Sequence, residues 1–225
     1  MSGKLFIIEG GDGSGKATQT RLLYEHLQRD GRPVRAVSFP DYDSDSSALV
    51  RMYLRGDFGS DANAVNPYAA SAFYAVDRYA SYQRGWKDFL QAGGIVLADR
   101  YTTSNMLYQM IKFEAPAERT AYLDWLEDFE FNKMGLPRPD QVFLLDVPLA
   151  VTEQLMQERQ GKTGGATGDI HEKNEDFLRK CHAAYAALTD RYGWQRLACT
   201  EGGRMRTPEA VHAELYRLVQ RELGC

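Results

Sequence analysis

The residues that could do chemistry begin at Gly10-Gly11-Asp12-Gly13-Ser14-Gly15-Lys16. They follow a short apolar run, Lys4-Leu5-Phe6-Ile7-Ile8, and precede a stretch with Leu22, Leu23 and Leu27 at helical spacing. A glycine-rich turn between a strand and a helix lets backbone N–H groups point inward around phosphate oxygens, and the helix start adds positive potential. Lys16 stands where a side-chain ammonium reaches the terminal phosphates of a nucleoside triphosphate. The glycine spacing also mimics a dinucleotide fingerprint, but a lysine directly after the last glycine favours the triphosphate cradle. Ala17 departs from that pattern, which asks for a hydroxyl to hold Mg²⁺; Thr18 comes one residue later. Magnesium is therefore expected on water, on substrate phosphates, or on a carboxylate such as Asp12 or Asp99.

Further candidates lie downstream. Asp99-Arg100 follows the apolar run Ile95-Val96-Leu97-Ala98. Tyr74 and Arg78 are four apart in a stretch opened by Asn66-Pro67, so they share one helix face. A ring for stacking beside a guanidinium for a carbonyl oxygen suits a flat pyrimidine. A buried aromatic with a surface arginine would read the same way in isolation. Gln160 to Gly168 holds four glycines and two threonines with no apolar side chain other than Ala166. It reads as a surface loop that is either an idle linker or a lid over substrates (about residues 159–170), with Arg159 and Lys162 as its basic residues.

These groups need a frame. Pro33–Phe39, Ile95–Ala98, Gln141–Asp146 and Gln195–Cys199 read as strands after the first, separated by helical stretches; Pro208–Glu222 reads as a last amphipathic helix. The helix from Asn66-Pro67 is expected to run to Gln91, where Gly93-Gly94 stops it. Strands alternating with helices imply a three-layer α/β/α domain with a five-stranded parallel sheet, and ligands bind at the carboxyl ends of such strands. The 225 residues suffice for a single domain spanning 1–225. Charged residues make up 26% and the net charge is −4, which argues against a protein built to grip nucleic acid. No run approaches the length of a membrane span, and Met1-Ser2-Gly3-Lys4 has no secretory character. Cys181, Cys199 and Cys225 are too widely spaced for a zinc site and read as free thiols of a cytoplasmic protein.

Taken in order, these segments resemble thymidylate kinases, which are P-loop kinases with a small lid. The carriers are Gly11-Asp12-Gly13-Ser14-Gly15-Lys16 followed by Ala17-Thr18-Gln19, then Phe39-Pro40, and then Tyr74-Ala75-Val76-Asp77-Arg78. Asp99-Arg100-Tyr101-Thr102-Thr103-Ser104-Asn105 with Tyr108-Gln109, Leu136-Pro137-Arg138-Pro139-Asp140, and Asp169-Ile170-His171-Glu172 complete the set. The resemblance implies transfer of the γ-phosphate of ATP to dTMP, with Mg²⁺, in a homodimer. It implies that Gly10 to Thr18, Arg159 and Lys162 hold ATP. Phe39, Tyr74, Arg78, Ser104, Asn105 and Tyr108 are implied to hold dTMP, with Tyr108 near the 2′ position of the sugar and Asp12 near its 3′-hydroxyl. Arg100 is implied to lie between the two phosphates, with Asp99 orienting it or a magnesium water. Where many members carry Arg after Phe-Pro this chain has Asp41, leaving Arg51 and Arg55 as substitutes for the acceptor clamp.

Three other readings are open at this level. One is another nucleoside or nucleotide kinase, and another is a nucleotide-binding protein without turnover, suggested by Ala17 and Asp41. A GTPase is disfavoured, because Asn132-Lys133-Met134-Gly135 has Gly where the guanine-reading Asp belongs.

Overall fold

The computed structural model describes residues 3–155, apart from 62 and 153, and residues 175–224. The expected lid at 159–170, with Arg159, Lys162 and the Asp169–Glu172 segment, lies outside the described residues, as does Cys225.

Five parallel strands stand in the order β2-β3-β1-β4-β5: β1 Lys4–Gly10, β2 Val34–Ser38, β3 Ile95–Asp99, β4 Gln141–Asp146 and β5 Gln195–Ala198. The central strand β1 is buried on both faces, which explains its unbroken apolar run. Its alternate side chains feed two cores. Phe6 and Ile8 pack with Leu23 and Leu27 of α1 (Lys16–Arg29) and with Val211, Leu215 and Val219 of α8 (Pro208–Glu222). Leu5 and Ile7 share the opposite core with side chains of three further helices: α5 (Thr102–Met110), α6 (Pro116–Glu127) and α7 (Glu175–Tyr192). The expected architecture of helices on both faces is therefore observed. Short strands Thr200–Glu201 and Arg204–Met205 form an antiparallel hairpin beyond β5 that the apolar pattern does not foretell. No described helix is long and apolar enough to cross a membrane.

The stretch expected as one helix from Pro67 to Gln91 is instead three pieces. Helix α3 runs Pro67–Ser81, capped by the Asn66 side chain on Tyr68 N–H, a wide π-turn spans Tyr82–Trp86, and α4 is Lys87–Gln91. The π-turn places Tyr82 and Trp86 in the core, a packing gain that overrides regular helix geometry. Between β2 and α3 lies α2 (Ala48–Arg55), which packs against α3.

The register aligns those ends. Ile8 of β1 lies beside Asp99 of β3 and Phe143 of β4, so the loop after β1 and the residues after β3 emerge side by side. The Leu136–Asp140 segment works at the other end: Asp140 accepts from Leu5 N–H at 2.8 Å and from Lys4 Nζ at 2.9 Å.

Helix α1, whose start forms the cradle, is braced at its far end. His26 Nδ1 and His212 Nε2 share a proton-mediated contact at 2.9 Å, and the His26 ring stacks on Tyr216 at 3.7 Å. Burial, the neighbouring His26 and Arg29 lower the pKa of His212, while Glu25 opposes them weakly. A histidine with a folded pKa below its unfolded value leaves the unfolded chain binding the extra proton as pH falls below about 6.5, so stability drops there. The midpoint of thermal unfolding is expected to fall between pH 7.5 and 5.5 by more in the unmodified protein than in His212→Gln, measured by circular dichroism. Equal falls would remove His212 as the responsible group.

Candidate active site

The loop from Gly10 to Gly15 wraps the start of α1. Gly10, Gly13 and Gly15 have positive φ values of 155°, 80° and 93°. At Gly10 an added Cβ would stand 2.6 Å from Ser14 Oγ and 3.0 Å from Leu145 O, so the chain passes β4 closely enough to exclude any side chain. Gly15 is the residue before α1, and no side chain caps that helix, which leaves its first N–H groups facing the loop's hollow. Lys16 is folded over this hollow. Its ammonium donates to Gly10 O at 2.9 Å and Gly11 O at 2.8 Å, and stands 3.7 Å from Asp12. Burial first, and Arg100 second, depress its pKa. Ala17 is exposed and Thr18 half-buried at the cavity rim.

Arg100 takes a left-handed backbone, φ 66°, which is uncommon outside glycine. That turn ends β3 and directs the side chain back across the loop. The guanidinium pairs with Asp12, lies 3.9 Å from Glu9, and reaches Tyr108 Oη at 3.4 Å and Ser104 Oγ at 3.5 Å. Asp99, the last residue of β3, has its carboxyl pKa pushed up, chiefly by burial and against the pull of Lys16.

A cavity of about 440 Å³ runs from this cluster to α3. Lys16, Asp12, Asp99 and Arg100 line one end, and Tyr74, Arg78, Phe39, Asn105 and Gln109 the other, with Ser104 and Tyr108 between. The structure thus brings together all the described catalytic and acceptor candidates from the sequence. It does not bring in the two substitute clamps. Arg51 donates to Tyr42 O, Ser44 O and Ser47 Oγ, and Arg55 pairs with Asp57 at the surface. Both are drawn to nearer acceptors, and the cations lining the cavity among the described residues are Lys16, Arg78 and Arg100.

Several residues that hold the site were not singled out from the sequence. Glu9 is fully buried at the end of β1. Its carboxylate accepts from Gly10 N–H at 3.0 Å, Thr103 Oγ1 at 2.6 Å and Ser104 Oγ at 2.8 Å. A lone acid closing an apolar strand was the signal available for it. Glu130 lies 52 residues from Arg78 and pairs with it in the interior, without local signal. Asp77 accepts from Asp41 N–H at 2.9 Å and Ser46 Oγ at 2.6 Å, anchoring the turn after Phe39-Pro40 to α3. Gln109 is buried, and its Oε1 has no hydrogen-bond partner. Asn105, by contrast, donates to Ser71 O at 3.2 Å.

The donor set around the cradle suits Mg²⁺, a hard cation that takes oxygen ligands and usually keeps much of its water. The candidate oxygens are the carboxylates of Asp12 and Asp99. No group of three His, Cys, Asp or Glu side chains that could hold a metal by itself occurs among the described residues.

The thymidylate kinase family model matches residues 8–202. A thymidylate kinase of Mycobacterium tuberculosis (strain ATCC 25618 / H37Rv) is 30% identical over 191 residues, covering 84% of this chain and 87% of that protein. A protein of Pyrococcus abyssi named "Probable thymidylate kinase" is 30% identical over 223 residues, covering 99% and 98%. A solved thymidylate kinase structure from Candida albicans superposes with a TM-score of 0.71 at 22% identity, over 98% of this chain and 92% of the other, which is a likeness of fold. With a family match across most of its length, and relatives 30% identical over 84% and 99% of it, this chain belongs to the thymidylate kinase family.

Proposed function

We propose that the protein transfers the γ-phosphate of ATP onto dTMP, giving dTDP, by in-line displacement without a covalent intermediate. One observation carries this reading. Lys16 and Arg100 beside the phosphate loop line the same cavity as Tyr74 and Arg78, so a loop for donor phosphates and a pocket for a flat base open into one space. An acceptor phosphate there is already anionic and needs no strong general base, so catalysis reduces to positioning and charge stabilisation. Lys16 would leave the Gly10 and Gly11 carbonyls for the donor phosphates. Arg100 would exchange Asp12 for phosphate oxygens, freeing Asp12 for the sugar hydroxyl or for Mg²⁺. Bound Mg²⁺ would neutralise phosphate charge, and Asp12 and Asp99 are the side chains placed to hold it, directly or through water. Because Arg51 and Arg55 do not line the cavity, Arg100 would take the clamping duty that Asp41 leaves open. Arg159 and Lys162 remain candidates for ATP.

At the acceptor end, Tyr74 offers a stacking face, Phe39 a wall and Tyr108 a ring beside the sugar. The base edge would meet two unlike groups. Arg78 only donates and suits a keto oxygen. Gln109 Oε1, buried and unpartnered, suits the N–H of an imide. Thymine and uracil present an N3–H beside a C4 keto oxygen; cytosine presents an acceptor nitrogen at N3 and an amino group at C4.

Steady-state assays of ADP release with dTMP, dUMP, dCMP and thymidine are expected to give the highest kcat/KM with dTMP. ATP binding without turnover at saturating Mg²⁺ would instead make this a nucleotide-binding protein. Lys16→Ala and Arg100→Ala are each expected to lower kcat on the order of a hundred- to a thousand-fold with circular dichroism unchanged. Full activity in Lys16→Ala would overturn the mechanism. Gln109→Leu is expected to reduce kcat/KM for dTMP about tenfold, the worth of one buried hydrogen bond, and to leave dCMP nearly unaffected; an equal loss with both would refute the base-edge role. The family resemblance and the exposed apolar pair Val76 and Tyr79 on one flank of α3 support a homodimer. Light scattering should then give twice the mass of one chain, and Val76→Asp should lower it; a monomer at assay concentration would rule this out.

A further inference from the structure

Arg78 is 1% exposed and the residue it pairs with, Glu130, is fully buried. The pairing is two-pronged: Arg78 Nε donates to Glu130 Oε2 at 2.8 Å and Nη2 to Oε1. Thr102 Oγ1 adds a third donor, to Oε2 at 2.7 Å. The Nη1 edge is left with a long contact to Tyr101 O at 3.5 Å, and the Tyr101 ring stands 5.9 Å from the guanidinium carbon. Arg78 lines the cavity; Glu130 does not. The carboxylate therefore occupies one edge of the guanidinium from behind and leaves the other edge for whatever enters.

A charge argument makes this arrangement more than packing. A phosphate can compensate the cation that binds it, but a pyrimidine base is neutral. A guanidinium held in a dry pocket to read a neutral base must find its counter-charge in the protein, or it stays solvated outside the pocket. Fork-to-fork pairing with a carboxylate also fixes the plane of the guanidinium, which a single contact would not. Glu130 is delivered by a π-turn, Asp128–Lys133, that continues α6. Such turns are rare and recur at functional sites.

We infer that Glu130 is a positioning residue for acceptor recognition: it holds Arg78 so that only the Nη1 edge faces the base, which makes the pocket accept a keto edge and reject an amino edge. Thr102 fixes Glu130 in turn. This rests on the reading that the base lies against Arg78. The two fail differently.

The test is steady-state kinetics of the full-length chain with saturating ATP and Mg²⁺, using dTMP, dUMP and dCMP. Glu130→Gln is expected to raise KM for dTMP and dUMP about ten- to a hundredfold, the span of one charge-assisted hydrogen bond. Its kcat is expected to change less than about threefold, and the preference over dCMP to narrow. Thr102→Val is expected to move both quantities the same way by less. A purely structural Glu130 would instead lower the active fraction, reducing kcat for all three acceptors alike with KM and preference unchanged; that result overturns the inference. If Glu130→Gln does not fold, Thr102→Val decides, and unchanged KM and preference there overturn it. Arg78→Met separates the layers. If it loses dTMP affinity and preference while Glu130→Gln keeps both, Glu130 has no such role. If Arg78→Met itself keeps both, the placement of the base at Arg78 is wrong.

Discussion

Glu9 is a carboxylate at the end of the central strand, where water does not reach, and the carboxyl side of the sheet is arranged around satisfying it. It takes the first N–H of the phosphate loop, two hydroxyls from the start of α5, and the field of Arg100. An unpaired carboxylate in that position would be prohibitive, so these partners are fixed together. The consequence is mechanical. The loop that would hold one phosphate, the arginine that would bridge two, and the helix that carries Ser104, Asn105 and Tyr108 share one anchor, and none can shift without disturbing the others.

The cavity's cations are all paired in this structure, but not equally. Arg100 and Asp12 keep 19% and 25% of their side-chain surface exposed, while Arg78 and Glu130 keep 1% and none. The first pair keeps some contact with solvent, so under the proposed reading an incoming phosphate could displace Asp12 from Arg100. The second pair is dry, and separating it would strand a charge. Under the proposed reading the two ends would suit their ligands: a partly solvated cation for anionic phosphates, and a fixed cation for a neutral base. Asp77 extends the fixed end. It ties the turn after Phe39-Pro40 to α3, one residue from Arg78, and its raised carboxyl pKa reflects burial that two hydrogen bonds partly offset.

Much of this was legible along the chain. The apolar run before Gly10, the glycine spacing and Lys16 specify a strand, a turn and a helix through local sterics alone, and the structure places them so. The Asn66-Pro67 start of α3 was equally clear, but its end was not. The π-turn at Tyr82–Trp86 arises because two aromatics are needed in the core below it, a demand no helical periodicity expresses. Arg51 and Arg55 have helical spacing and suitable charge, yet nearer acceptors in their own loop claim them. Gln109 carries no signal of its own in the sequence, since an amide's importance depends on whether its oxygen finds a partner.

What the sequence alone determined is the set of groups within a few residues of one another: the glycine-rich loop with Lys16, the Asp99-Arg100 pair at the end of a strand, the shared face of Tyr74 and Arg78, and the alternation that makes a parallel sheet. Short-range sterics and periodicity decide those. Only the tertiary structure decided which charges neutralise one another. Glu9 meets Thr103 and Ser104 across 94 and 95 residues, and Arg78 meets Glu130 across 52. A buried charge selects its partner by distance and desolvation in three dimensions, and that choice exists only once the chain has folded.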